Sequence, residues 1–208
     1  MNTFDKVAPF YDRLSRIVFG SSIHNAQIYY LTKVPREAKV LMVGGGTGRL
    51  LSELMITKPE CQVWYIDASH KMIELAKRKT KKFGNRITFI HGTENSIPQD
   101  IIFDSVITPF YLDLFSQENC AQAIHKIQRS LNAQGIWIAT DFVNTTWWHS
   151  VMLFLMYWFF KFTCSIETMT LPNWERLMSE NGFLEVEFQT FYGGFIKTVR
   201  FRSKFSRT

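Results

Sequence analysis

Five short runs of the sequence are almost continuously apolar and rich in β-branched or aromatic residues: KVLMV (39–43), QVWYI (62–66), RITFI (86–90), IIFDSVI (101–107) and GIWIATDF (135–142). Strands of that kind are covered on both faces, as in a parallel sheet. Parallel neighbours need long crossovers, and helical patterns lie where the crossovers belong. Ser69 can N-cap a helix over 70–83 with Met72, Ile73, Leu75 and Ala76 on its inner side. Ser116 can cap another over 117–131, whose apolar stripe is Cys120, Ala123, Ile124, Ile127 and Leu131. Alternation of this type predicts an α/β fold with right-handed crossovers and ligands at the carboxyl ends of the strands. The alternation stops near the C-terminus. Pro172–Asn181 reads as a helix with Pro at its start and Gly182 past its end. FLEVEFQTFY and FIKTVRFR then alternate with period two on either side of Gly193-Gly194, the pattern of an antiparallel hairpin.

A chain of 208 residues suits one domain with a real core, here read as 1–208 throughout. Within it, 1–35 reads as an N-terminal helical cap and 145–170 as an apolar, lid-like insertion after the fifth strand. A hydrophobic fraction of 46% against 20% charged residues excludes a disordered chain. The 15% aromatic content is more than a core alone needs, and points to a large apolar pocket or surface as well. The formal charge of +6 is compatible with an acidic small molecule or anionic lipid. No Arg/Gly repeat or nucleic-acid signature accompanies it, so no nucleic-acid partner is expected. Cys61, Cys120 and Cys164 are odd in number and far apart, which argues against a disulfide framework or a zinc site, and no metal is expected. The charged N-terminus has no apolar leader core, so the expected compartment is the cytoplasm.

The first strand runs into VLMVGGGTGRLL (40–51) and then into a helix. Glycines at such a turn let a ligand approach the backbone, and the free N–H groups of a helix start favour an anionic group. A dinucleotide loop would read G-x-G-x-x-G. Counted from Gly44, the sixth position is Arg49, and the glycines fall instead at 44, 46 and 48. Asp67 lies 19 residues beyond Gly48 at the tip of the second strand, where a carboxylate can accept hydrogen bonds from both hydroxyls of a ribose.

These segments resemble the class I S-adenosylmethionine-dependent methyltransferases. VLMVGGGTG is similar to their first motif and YIDASHKMIELAKRK to their second. FDSVITPFYLDLF resembles their fourth-strand segment, and SLNAQGIWIATDF the turn and fifth strand that follow. The opening FDKVAPFYDRLSRIVFG is similar to the start of the ubiquinone/menaquinone biosynthesis C-methyltransferases. The resemblance implies a Rossmann-like, seven-stranded, mostly parallel sheet with a C-terminal antiparallel hairpin and helices on both faces. It implies S-adenosyl-L-methionine as cofactor and S-adenosyl-L-homocysteine as product. By position, Gly44, Gly45, Gly46 and Gly48 would pass the methionine part of the cofactor. Asp67 would bind the ribose, and Ala68, Ser69 and Met72 would lie near the adenine. HGTENSIP (91–98) would add an adenine contact through the Thr93 side chain or the Glu94 backbone. Thr108 would face the amino group, and Tyr11 would close over the carboxylate.

One position departs from the family pattern. The acid usually found two residues before the first glycine is Met42 here, which removes a negative charge near the cofactor's cationic groups. A binding-only domain is therefore one alternative, and a NAD or nucleotide-sugar enzyme another. Displacement at a sulfonium needs alignment, desolvation and sometimes a base. His149 and Asp141 are the leading candidates for that base, with Tyr111 and Asp113 behind them. The segment 145–163 is apolar, but His149 and Lys161 bracket a run shorter than the about 20 residues a membrane span needs. It can be a buried helix, a lid over a hydrophobic and quinone-like or lipid-like acceptor, or a peripheral membrane contact aided by the basic tail from Lys197 to Arg207. The oligomeric state is not legible.

Overall fold

The computed structural model describes residues 8–163 and 170–204, with the side chains of 8–12, 157 and 159–163 excepted. The chain begins with two helices, α1 (Ala8–Phe19) and α2 (Ser22–Ile28), and then alternates: β1 (Lys39–Val43), α3 (Arg49–Thr57), β2 (Gln62–Asp67), α4 (His70–Thr80), β3 (Ile87–His91), β4 (Phe103–Pro109), α5 (Gln117–Gln128) and β5 (Leu131–Phe142). It closes with α6 (Trp147–Thr163), α7 (Trp174–Glu180), β6 (Phe183–Phe191) and β7 (Ile196–Ser203).

The seven strands form one sheet in the order β3-β2-β1-β4-β5-β7-β6. The first five are mutually parallel, and β7 runs antiparallel to both β5 and β6. This is the Rossmann-like α/β architecture expected, with the hairpin inserting its second strand into the sheet. The chain reverses between β2 and β3 on one side and β4 and β5 on the other, so a crevice opens at the carboxyl ends of β1 and β4.

Period-two geometry divides the core. Leu41 and Val43 join Ile66, Val106, Trp137 and Ala139 on the face covered by α5 and α7. Val40 and Met42 join Val63, Tyr65, Ile107 and Ile138 on the face covered by α3 and α4. A third apolar group at the crevice end gathers Phe19 and Ala26 from the N-terminal helices, Phe142, Leu153 of α6, and Phe195 and Ile196. It ties the N-terminal helices and α6 to the sheet.

Three helix ends differ from the sequence reading. α4 stops at Thr80, where the Thr80 hydroxyl donates to the Ala76 carbonyl (2.7 Å), and Gly84 at φ 63° kinks the 3₁₀ turn that follows. α5 stops at Gln128, and Leu131 begins β5 opposite Phe103. α7 starts two residues after Pro172, because Asn173 is its cap and accepts the Arg176 N–H (3.1 Å). The Ser69 and Ser116 caps lie as expected, accepting from the N–H groups of Met72 and Asn119.

Candidate active site

A cavity of about 560 Å³ lies at the carboxyl ends of β1, β2, β4 and β5, beneath α1, α2 and α6. Its floor is Gly44–Thr47, its sides are Asp67, Ala68 and Met72 on one hand and Pro109–Tyr111 with Asp113 on the other, and its roof includes Phe19, Met152, Leu155 and Met156.

The floor is shaped by four glycines with different tasks. The rings of Tyr111 and Tyr65 lie against Gly44 and Gly45, where a Cβ would come within 2.6 and 2.1 Å of them. Gly46, at φ +67°, has nothing within 4 Å of an added Cβ, so the bare backbone there faces open space. Gly48 does not line the cavity. It caps α3 at φ +79°, and a Cβ would meet the Ala76 backbone at 2.5 Å, so this glycine lets α3 start against α4. The Gly46 N–H donates to Asp67 Oδ2 (2.8 Å), and the Tyr65 hydroxyl donates to the Gly46 carbonyl. The loop is thus held from β2.

Asp67 ends β2 with its carboxylate fixed at both oxygens, since Oδ1 accepts the Ser69 N–H (2.8 Å). These two backbone donors orient the carboxylate at the cavity wall. Ala68 and Met72 line the cavity beside it. Ser69 is buried beneath them as the α4 cap.

Thr93 and Glu94 do not reach the cavity. Thr93 accepts the Asn95 N–H (3.3 Å), and Glu94 accepts the Tyr111 hydroxyl (2.8 Å) and pairs with Lys126 at 3.4 Å. Burial and the Glu94 carboxylate hold the Tyr111 phenol well above its ordinary pKa, so it stays protonated and donating. Thr108 is also buried away from the cavity, accepting the Trp137 indole N–H (2.9 Å). Tyr11 belongs to α1, but its side chain lies outside the described residues.

The two leading base candidates are both fully buried, and neither lines the cavity. His149 Nδ1 accepts the Thr145 N–H (3.1 Å), which leaves Nε2 to carry the proton toward the Gly193 carbonyl (3.3 Å). Trp148 and Phe195 pack on its ring. This imidazole has no lone pair facing the cavity. Asp141 Oδ2 accepts the Leu112 N–H (3.0 Å), and its carboxyl lies against that of Asp113, which does line the cavity. Burial raises both, Asp113 to about 6 and Asp141 well above the usual carboxylate range, the latter also through the Asp113 charge. Met42 is at 0% exposure in the core and neither blocks nor touches the cavity.

Sequence reasoning missed the basic side of the cavity. His24 and Arg49 line the cavity, and burial and the Arg49 charge lower the His24 pKa. Arg49 was signalled as the first residue after the glycines, but His24 carries no local signal. Phe110, also missed, holds φ 52° at the end of β4, with its N–H on the Thr140 carbonyl (2.7 Å) and its ring 4.8 Å from that of Phe142. Among the described residues, no cluster of three or more His, Cys, Asp or Glu could hold a metal ion.

Residues 40–135 match the family model described as a methyltransferase domain. The demethylmenaquinone methyltransferase of Thermotoga maritima is 29% identical over 138 residues, 65% of this chain and 58% of that protein. The chain thus matches less than two thirds of that relative's length. The demethylmenaquinone methyltransferase of Staphylococcus aureus strain JH9 is 26% identical over 92% of this chain and 87% of its own. Among solved structures, the 1,6-didemethyltoxoflavin-N1-methyltransferase of Burkholderia thailandensis, with 1,6-didemethyltoxoflavin and S-adenosylhomocysteine bound, superposes with a TM-score of 0.70 at 14% identity. It covers 98% of this chain and 87% of that one.

Proposed function

The chain belongs to the class I S-adenosylmethionine-dependent methyltransferases, and from that premise we propose that it transfers a methyl group to a small, apolar, quinone-like acceptor. The observation that carries this reading is the pairing, in one cavity, of Asp67 with the bare Gly46 on one side and an apolar wall of Phe19, Phe110, Phe142 and Met152 on the other. The cradle fits the cofactor: a carboxylate held at a strand tip for a ribose diol, Ala68 and Met72 for an adenine face, and charged groups of both signs for a zwitterionic tail. The demethylmenaquinone methyltransferase relatives support the acceptor class.

When bound, the cofactor supplies an already activated, sulfur-borne methyl group. The protein's part is then alignment and exclusion of water. Asp67 fixes the adenosine, Gly46 lets its tail cross the floor, and the aromatic and methionine wall presents the acceptor in a dry site. Titration calorimetry with S-adenosylmethionine, S-adenosylhomocysteine and NAD tests the cofactor. Binding of NAD alone would refute the assignment. Asp67→Ala is expected to weaken S-adenosylhomocysteine by about 1–3 kcal/mol, the range for hydrogen bonds to a charged group. A labelled-methyl assay on demethylated quinones separates an enzyme from a protein that only binds the cofactor.

The same reading extends to a peripheral membrane contact. No described helix is long and apolar enough to cross a membrane. Trp147, Val151, Phe154, Leu155 and Trp158 nevertheless form an exposed stripe along one face of α6, and Ile17 and Val18 of α1 are exposed too. Leu155 and Val18 also line the cavity, so the stripe continues into the acceptor wall. Exposed apolar surface of this extent marks an interaction site. The basic tail contributes less than the sequence suggested. Lys197 is engaged by Glu175 and Glu185, and Arg200 by Glu187 at 2.6 Å. Cosedimentation with vesicles tests this contact, and loss of cosedimentation in Trp147→Glu with Phe154→Glu is the expected result.

A further inference from the structure

We propose that the Asp113–Asp141 pair is the anchor for the ammonium group of the cofactor's amino-acid tail, supplying the charge that Met42 does not. This rests on the reading of the cavity as an S-adenosylmethionine site.

Among the described residues, two acids line the cavity, Asp67 and Asp113, and they lie on opposite sides of the Gly44–Gly46 floor. Asp67 sits at the end of β2 beside Ala68 and Met72, where the adenosine is read. A tail leaving that end crosses the floor toward β4 and the turn that carries Asp113. The Tyr111 ring packed on Gly44 brings this turn against the floor. On β1, the position where a family acid would stand faces away, into the core beneath α3 and α4.

The pair is built for one net charge. Asp141 is at 0% exposure, and its Oδ2 is held by the Leu112 N–H. Oδ1 of Asp113 and Oδ1 of Asp141 are buried and accept from no group outside the pair, whose carboxyls hydrogen-bond each other. Two buried carboxyl groups that hydrogen-bond each other hold one proton between them, which leaves a single negative charge. Cys120 of α5 is the other titratable group facing them, and burial and both carboxyls push its thiol up to about 12, so it is neutral. Among the described residues, the groups that act on either carboxyl are the other carboxyl and backbone N–H groups, with no lysine, arginine or histidine among them. A buried negative charge with no cation is costly, and one at the edge of a ligand cavity gains most from a ligand that brings the cation. The ammonium of an amino-acid tail does so at the Asp113 carboxyl, the member of the pair that lines the cavity.

The experiment compares two ligands that share the adenosine and its thioether. S-adenosylhomocysteine carries the amino-acid tail, and 5′-methylthioadenosine lacks it. Calorimetry on the whole protein is expected to show that Asp113→Asn weakens S-adenosylhomocysteine at least tenfold while 5′-methylthioadenosine stays within twofold. Retained 5′-methylthioadenosine binding also reports that the variant is folded. An unchanged S-adenosylhomocysteine affinity, or equal losses for both ligands, would overturn the anchor. Failure of the unmodified protein to bind either ligand would instead reject the cofactor reading. Should Asp113→Asn not fold, wild-type protein is titrated with the S-adenosylhomocysteine analogue in which hydrogen replaces the ammonium, at pH 5 and pH 7.5. The anchor predicts that S-adenosylhomocysteine outbinds the analogue by a margin that shrinks at the lower pH, where the pair is protonated. A margin independent of pH would refute it.

Discussion

At the residue scale, the glycines of the first turn separate a ligand task from a packing task. Gly46→Ala places a methyl into the open cavity at a positive φ, which costs the fold only about 1–2 kcal/mol. Gly48→Ala adds a 2.5 Å approach to the Ala76 backbone to the same strain and has no flexible neighbour to displace. Thermal unfolding is expected to rank Gly48→Ala as the less stable variant. Calorimetry is expected to rank Gly46→Ala as the weaker cofactor binder for its loss of stability. The acid pair makes a second prediction. The folded-state pKa of Asp113 lies above the unfolded value of an aspartate, so the folded chain holds the proton through a pH range where the unfolded chain has lost it. Without cofactor, stability therefore falls as pH rises from about 4 to about 6, by up to about 3 kcal/mol. Asp113→Asn should remove this contribution and leave that of Asp141, which burial raises as well, so chemical denaturation at pH 4.5 and pH 7 should show a smaller fall in the variant. Asp67 was legible because a lone acid at a strand tip after a glycine turn has few structural reasons to be there. The burial of Met42 was legible only through β-strand alternation, which puts 42 with 40 on the α3/α4 face. The burial of His149 was not legible, since one of its two partners, Thr145, is local but the other, Gly193, lies 44 residues away in sequence.

At the scale of elements, strands were easier to read than helix ends. Buried strands announce themselves by unbroken apolar runs, whereas α4, α5 and α7 end through single hydrogen bonds that their periodicity does not encode. α6 is a more instructive case. Its composition left a buried helix, a lid and a membrane contact all open, because an apolar helix has no polar face to give its orientation away. In the structure it has an inner edge, with Trp148 and Leu153 in the aromatic group, and an outer stripe beginning at Trp147. The two neighbouring tryptophans therefore divide. Trp147 is 81% exposed, so Trp147→Ala should change stability by less than about 0.5 kcal/mol. Trp148 packs on His149, Gly193 and Phe195, and Trp148→Ala should cost about 2–4 kcal/mol by leaving a hole beside the hairpin turn. Denaturant unfolding of the two variants checks the split. Equal stabilities would mean that the two tryptophans do not divide between an inner and an outer face.

At the scale of the whole molecule, the sheet is a rigid frame and the cavity roof is a separate layer laid on one end of it. The alternation of strands and helices, ending in a hairpin, was enough to read the frame from sequence. The roof was legible only as a helical cap over 1–35 and a lid-like 145–170, and how the two meet was not, because α1, α2 and α6 join the sheet through the Phe19, Phe142 and Phe195 group, brought together from segments more than 50 residues apart. The frame side of the cavity, residues 44–47, 67–72 and 109–113, carries the polar groups read here as the cofactor's. Apart from Ser15, His24 and Gln27, the roof presents apolar side chains, read as the acceptor's. Two ligands should then protect two different sets of amides. In hydrogen exchange, S-adenosylhomocysteine is expected to slow 44–48 and 67–72, including the Gly46 and Ser69 amides whose acceptor is Asp67. α6 should change little until an apolar quinone is added, and then slow along 148–156, because its ordering depends on filling the wall formed by Met152, Leu155 and Met156. Protection of α6 by S-adenosylhomocysteine alone, with none at 44–48, would put the adenosine under the roof and would reverse the assignment of the two halves of the cavity.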